Sequence, residues 1–513
     1  MKKLWKKLLA VTTAVMMAIT LLPAMANANA TDGKGSVTII KNGEKSDEFL
    51  AGAKFSFYKI ASITNSEGKD WKYTVEEAYR EKLGDNGIAK NLNDLPSSAW
   101  EAEIDVLAAT NATAIKESKA SAEKTGSTGA TELPLGVYLV KETTTPAGYV
   151  ASKPFIVSVP STDNYDTAGK EGTEFIYNIT AKPKNSKMSV DKTIVNEDKT
   201  AYIGGFVEYK VETQIPKYGT EYTNPVFNIY DKMSNGLSFV NDDNDTAHKL
   251  KVVVGGTEIV EGENTYTLAT NGLSDGKTFE IQFAKAFLEN KENKENKGKK
   301  VEVTYYAQVN ENAVYINENS ANITYQNKPG ETTDATPSKK NVYTYGIDLT
   351  KNGDKSADAD GLDGAEFTLA AANGEMISIL VNGKKVAVNG ESKGGFQTTT
   401  VDNKKGKLVF KGLKAGTYTL TETKSPSGYS LAKNPITIVI TANADGSFAS
   451  ATVNENTVTN DVKDGIVPVG LQNKSGFSLP ATGGMGTYLF TIGGLVIMAG
   501  AALLLIASRK RRA

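Results

Sequence analysis

The stretch GTYTLTETKSPSGY, residues 416–429, sets Tyr418, Leu420 and Glu422 on one face of an extended chain and then breaks at Ser-Pro-Ser-Gly. Period-two alternation ended by Pro and Gly is the signature of a half-buried β-strand running into a turn. The same plan recurs at residues 136–149 as GVYLVKETTTPAGY, and LAGAKFSF after Lys41 matches LDGAEFTL after Lys351. The chain therefore carries one domain plan twice, with a different domain between the copies. Further short strands such as NPITIVITANADGS (434–447) lie between turns, which predicts an all-β protein of three tandem Ig-like, antiparallel sandwiches. The expected domains are residues 31–185, 186–341 and 342–464, with the Gly- and Pro-containing DGIVPVGLQNKSGFS (464–478) supplying a linker at 465–478. Residues 74–123, rich in Ala, Glu and Lys, predict a helical insertion in the first sandwich.

The ends differ from the body. Residues 1–30 join a Lys-rich start, an apolar run and Ala-x-Ala sites, as a secretory signal peptide does. Residues 485–507 are apolar or small and uncharged, long enough for a transmembrane helix, and the basic SRKRRA behind them belongs on the cytoplasmic side. The expected location is thus secreted and at the cell surface, with the precursor held in the membrane.

With 58 Lys and Arg against 59 Asp and Glu, nothing calls for nucleic acid. The chain has no Cys and one His, which excludes disulfides, thiolate nucleophiles and multi-histidine metal sites. His248 in NDDNDTAHK reads as a solvated side chain, and the acids beside it match no calcium loop. No cofactor or metal is expected, and LENKENKENKGKK (288–300) reads as a solvated loop.

Strand parity then exposes charged residues on the apolar face. Lys351 is in phase with Tyr345, Ile347 and Leu349; Lys41 with Val37 and Ile39; Lys192 with Val190. The acids Glu142, Asp231 and Glu422 and the amides Asn185, Asn319 and Asn460 are likewise in phase with apolar neighbours. Such residues could sit at wetted strand ends or form ordinary buried hydrogen bonds. Three recurrences favour another reading. Burial lowers a lysine pKa and raises that of an acid, leaving a neutral amine beside a protonated carboxyl. The amine can attack the Asn carboxamide and expel ammonia, forming an isopeptide bond that ties the first strand of each sandwich to its last.

LPATG (479–483), followed by the span and basic tail, resembles the cell-wall sorting signal of Gram-positive surface proteins. FIYNITAKPKNSK (175–187) resembles the pilin motif of Gram-positive backbone pilins, with Lys184 in the linking position, although Phe175 stands where tryptophan is usual. Lys182 and Lys187 are the alternative linking lysines. The whole chain thus resembles a sortase-assembled major pilin with collagen-adhesin B-type, A-type and B-type domains. The resemblance implies a non-enzymatic fibre subunit in which a sortase cleaves after Thr482 and joins it to Lys184 of the next copy. It also implies that Leu479, Pro480, Ala481, Thr482 and Gly483 form the recognition sequence. The crosslink triads would be Lys41/Glu142/Asn185, Lys192/Asp231/Asn319 and Lys351/Glu422/Asn460. Asn178 is an alternative acceptor in the first domain, of the wrong parity. Implied partners are pilin-type and housekeeping sortases, other copies of the chain, tip or base pilins, and peptidoglycan. The competing reading is a monomeric wall-anchored adhesin. A secreted hydrolase is disfavoured because no nucleophile constellation is recognisable.

Overall fold

The computed structural model describes residues 33–66, 70–83, 104, 106–161, 175–219, 221–242, 245–289, 296–358, 360–372, 374, 377–388, 395–458 and 462–476, with 497, 498 and 501 beyond. The expected signal peptide and the LPATG sequence lie outside these residues, and so does nearly all of the expected span. Among the described residues no helix is long and apolar enough to cross a membrane.

In the first domain, β1 (Lys34–Ile40) lies between β4 (Ser127–Pro134) and β7 (Asn178–Ala181). The facing sheet runs β3 (Asp70–Val75), β2 (Lys54–Ser66), β5 (Gly136–Thr144), β6 (Phe155–Val159). Val37, Ile39, Phe55, Phe57, Tyr138 and Val140 fill the space between the sheets. The second sheet is covered on its other side as well: Tyr79 of α1 (Glu77–Leu83) and Leu107 pack with Ile60, Ile63, Val137 and Leu139. This explains why the first copy reads VYLV where the last reads TYTL. Thr417 and Thr419 of the last copy face outward, half-buried, while Val137 and Leu139 at the same places meet the insertion.

Residues 84–103 and 105 of the insertion lie outside the described residues. Among its described residues, helix is confined to Glu77–Leu83 and to a short turn ending at 108, whereas 111–123 is irregular apart from the two-residue strand Lys116–Glu117. Its Ser118 and Ser121 accept hydrogen bonds through Oγ from Phe55 N and Ala53 N. Serines that bond backbone compete with helix, so local composition was overridden at the sheet margin.

The middle domain packs two six-stranded sheets. One contains β8 (Asp191–Ile194), β9 (Phe206–Gln214) and the later β12 (Lys300–Val309); the other contains β10 (Phe227–Met233), β11 (Phe279–Phe283), β13 (Ile316–Lys328) and β14 (Ser338–Tyr343). Its core includes Tyr209, Tyr305, Ile229 and Ile323. His248 is half-buried, stacked on Phe206 with ring centroids 3.9 Å apart and 2.6 Å from Asp245, so it is not simply solvated. No metal-holding cluster occurs among the described residues.

The last domain repeats the first. Of its strands β15 (Tyr345–Gly353), β16 (Glu366–Ala371), β17 (Lys404–Leu413), β18 (Gly416–Lys424), β19 (Ile436–Ala442) and β20 (Ile466–Asn473), β20 is built from residues expected to be linker. Val467 and Val469 are buried in the core, and β20 pairs in parallel with β15 as an edge strand. Pro468 is tolerated there because an edge strand leaves one row of N–H groups unpaired. In the first domain β1 and β7 are also parallel, so the sandwiches are not purely antiparallel.

Candidate functional site: three buried amine, acid and amide clusters

Lys41, Lys192 and Lys351 are each wholly buried, as strand parity predicts. In the first domain Lys41 follows β1 and stands beside Glu142 of β5, with Nζ 3.1 Å from Glu142 Oε2. Asn185 Nδ2 donates to Glu142 Oε1 at 2.9 Å, completing the expected trio. The carboxylate is held by Ser152, whose backbone N and Oγ donate to Oε2 at 2.8 and 2.9 Å. Burial lowers the Lys41 pKa, against the attraction of Glu142.

The middle domain brings together Lys192, Asp231 and Asn319 by another arrangement. Lys192 Nζ lies 2.6 Å from Asp231 Oδ2 and 4.5 Å from the centroid of the Tyr209 ring. Asn319 reaches the pair through the hydroxyl of Tyr305, donating to it at 3.3 Å. Burial pulls Lys192 down to about 8 and pushes the Asp231 carboxyl up. Tyr209 and Tyr305 were not singled out from sequence, where their alternation with Val207, Val211, Val303 and Ala307 reads as ordinary core. Asn319 lies on β13, with the strands Glu331–Asp334 and β14 still to follow. Only in the terminal domains do the lysine and the amide stand at the first and last strands of the sandwich.

In the last domain Lys351 and Glu422 are buried as expected, while Asn460 lies outside the described residues. The amide at Glu422 is that of Asn473, whose Nδ2 donates to Oε1 and Oε2 at 2.8 and 3.0 Å. Ala432 N donates to Glu422 Oε2 at 2.7 Å, ten residues after the acid, just as Ser152 does after Glu142. Register makes the two sites equivalent. Phe55 pairs with Glu142 and Phe367 with Glu422. Ile39 pairs with Ala181, which sets Lys41 beside Pro183 with Asn185 two residues on; Lys351 pairs with Leu471 with Asn473 two residues on. The signal was present in IVPVGLQN, where Val467, Val469, Leu471 and Asn473 share parity, but Pro468 and Gly470 read as turn residues.

One feature unites the clusters: the carboxamide oxygens of Asn185, Asn319 and Asn473 are all buried without a hydrogen-bond partner. A buried orphan acceptor costs about 1–3 kcal/mol, and a buried amine-acid pair is weak support for a fold. These are arrangements with chemistry available to them. A half-turn of the Asn185 or Asn473 carboxamide exchanges its near-isosteric ends and turns the oxygen toward the glutamate.

Beside the first cluster, Lys184 is exposed between buried Pro183 and Asn185. Asn42 pins the backbone on either side, its N donating to Pro183 O at 3.4 Å and its O accepting from Asn185 N at 3.2 Å. Lys187 is exposed and Lys182 half-buried. Asn178, also exposed, accepts from Ser36 Oγ instead of reaching the cluster.

Comparison with known proteins agrees with this organisation. The model of the SpaA prealbumin-like fold domain matches residues 35–173 and 347–456, and that of the LPXTG cell wall anchor motif matches 472–513. A fimbrial subunit type 2 of Actinomyces naeslundii is 27% identical over 498 residues, covering 89% of this chain and 82% of that protein. A fimbrial subunit type 1 of Actinomyces viscosus is 27% identical over 421 residues, 74% of this chain and 73% of that protein. In fold, the chain resembles the T6 backbone pilin of Streptococcus pyogenes, with TM-score 0.57 and 18% identity over 87% of this chain and 99% of that one. The major pilin SpaA of Corynebacterium diphtheriae gives TM-score 0.50 and 20% identity over 86% and 100%. The chain accordingly belongs to the sortase-assembled backbone pilins of Gram-positive bacteria, structural subunits of a surface pilus anchored to the cell wall.

Proposed function

We propose that the subunits are joined head to tail by an amide between Thr482 of one copy and the Nζ of Lys184 in the next, and that each copy is closed by Lys41–Asn185, Lys192–Asn319 and Lys351–Asn473 isopeptide bonds. The observation that carries the internal bonds is a buried amine, a buried acid and a buried, unpartnered carboxamide oxygen in each domain, with the amine touching the acid in the first two and brought to the same place by strand register in the last. Attack of the neutral amine on the carboxamide carbon, with loss of ammonia, turns the amine and a primary amide into one secondary amide and leaves the acid as it was. The folded core supplies the proximity. Each bond forms once and nothing turns over. The sortases, peptidoglycan and any tip or base pilins are partners that this reading assigns from the anchor motif and the relatives.

The joining points also define a load path. Tension entering at Lys184 and leaving at Thr482 runs through the middle and last domains, where two of the bonds close loops. The Lys41–Asn185 bond lies off that path and instead ties the segment bearing Lys184 to the end of β1. In the middle domain, residues between Asn319 and β15 remain free to peel before the loop takes load.

Polymer joining is tested by denaturing gels of cell-wall extracts. High-mass ladders should vanish on Lys184→Ala; a single band unaffected by that change would support the monomeric adhesin.

A further inference from the structure

The middle cluster differs from the terminal ones in a way that points to an additional participant. Glu142 and Glu422 touch their amides directly. Asp231 is one methylene shorter, and its contact with Asn319 runs through a hydroxyl. Tyr305 stands on β12, directly across from Tyr209 on β9. Its hydroxyl accepts from Lys192 Nζ at 2.5 Å and from Asn319 Nδ2 at 3.3 Å, and donates to Asp231 Oδ2 at 2.5 Å. One donor and two acceptor sites are all a phenol has, and each is directed at a different member of the reacting trio.

We propose that Tyr305 is a catalytic residue of the middle-domain crosslink, relaying a proton from Asp231 to the departing nitrogen of Asn319; this rests on the crosslink reading above. In the starting amide Nδ2 has no available lone pair and can only donate to Tyr305. When the neutral Lys192 amine adds to the carboxamide carbon, that carbon becomes tetrahedral and Nδ2 gains a basic lone pair. Tyr305 then gives its proton to Nδ2 and takes one from the protonated Asp231. The Cγ–Nδ2 bond breaks, ammonia leaves, and the Asp231 carboxylate removes the extra proton from the former lysine nitrogen. Tyr305 and Asp231 end as they began, and the net change is one amide formed and one ammonia released. Burial keeps the phenol protonated, so it acts by exchange and never as a phenolate.

The experiment uses the full chain made in a short labelled pulse, with loss of ammonia from each crosslink site followed by mass spectrometry. Tyr305→Phe should slow the Lys192–Asn319 bond about 100-fold or more, the usual range for a lost general acid. The two terminal bonds should keep their parental rates and serve as internal controls. Asp231→Glu combined with Tyr305→Phe restores direct reach in the space the hydroxyl leaves, and should bring the rate back to within about tenfold of the parent. Parental speed in the single variant would overturn the relay. A slow double variant would also overturn it, because Tyr305 would then be needed for packing alone. If the parent itself loses no ammonia between Lys192 and Asn319, the crosslink reading fails in this domain and the relay falls with it.

Discussion

Lys351→Met separates the contribution of the crosslink in the last domain from that of the buried charges. Met has similar length and no charge, but taking one partner from a buried amine-acid pair is itself destabilising by about 3–5 kcal/mol, so the variant is compared with Asn473→Ala, which lacks the bond and keeps both charged groups. Glu422 keeps the Ala432 N–H and Asn473 as donors. The cost common to the two variants is that of the covalent bond. That bond closes a loop of about 120 residues, and by the chain-entropy relation used for disulfides such a closure is worth about 5 kcal/mol. Spread over the unfolding entropy of a domain of roughly 130 residues, this corresponds to about 15–20 °C in melting temperature. Calorimetry of the secreted body should show one transition falling by at least that amount in both variants and the others unmoved, with each variant failing to lose the ammonia that the parent loses. A shift below about 3 °C in a variant confirmed to lack the bond would refute the entropic argument.

Three other outcomes are expected. Asn473→Ala should abolish the last-domain bond while Asn460→Ala leaves it intact, read from intact mass; the reverse result would return the acceptor role to Asn460. In an Asn319→Ala precursor, folded Lys192 titrates near 8 against 10.5 unfolded, so the unfolded chain binds more protons between those values. Stability of that middle domain should accordingly rise from pH 8 to 10.5 by up to about 1.4 kcal/mol per unit, whereas the crosslinked parent, with its lysine amidated, should lack that rise in urea titrations. The raised Asp231 carboxyl acts with the opposite sign from 3.8 upward, and Asp231→Asn in the same background isolates the lysine. Pulled between Lys184 and the C-terminus, the parent should not release the length held within Lys192–Asn319 or Lys351–Asn473, while Lys41→Met should leave the force-extension trace unchanged.

Much of the fold could be read from period-two alternation, because strands half-buried in a sandwich must alternate. The same rule put Lys41, Lys192 and Lys351 in the core, since a side chain in phase with Ile347 and Leu349 has nowhere else to go. It failed at β20, where Pro468 and Gly470 interrupt the pattern on the outward face only, a place an edge strand tolerates. Asn460, favoured because it follows Val458, lies outside the described residues; parity fixes a face and not a partner, and the amide found at Glu422 is that of Asn473. The partner is set by the parallel register of β15 and β20, a contact between segments more than a hundred residues apart. Tyr305 was hidden for a related reason: a tyrosine in phase with valines is ordinary core until the opposite sheet supplies an acid for its hydroxyl.

The most direct test is peptide mapping of the secreted body by tandem mass spectrometry. Three branched peptides, joining Lys41 to Asn185, Lys192 to Asn319 and Lys351 to Asn473, each one ammonia lighter than its parts, are predicted. Linear peptides carrying all three lysines with free amines, in protein of unreduced mass, would contradict the account.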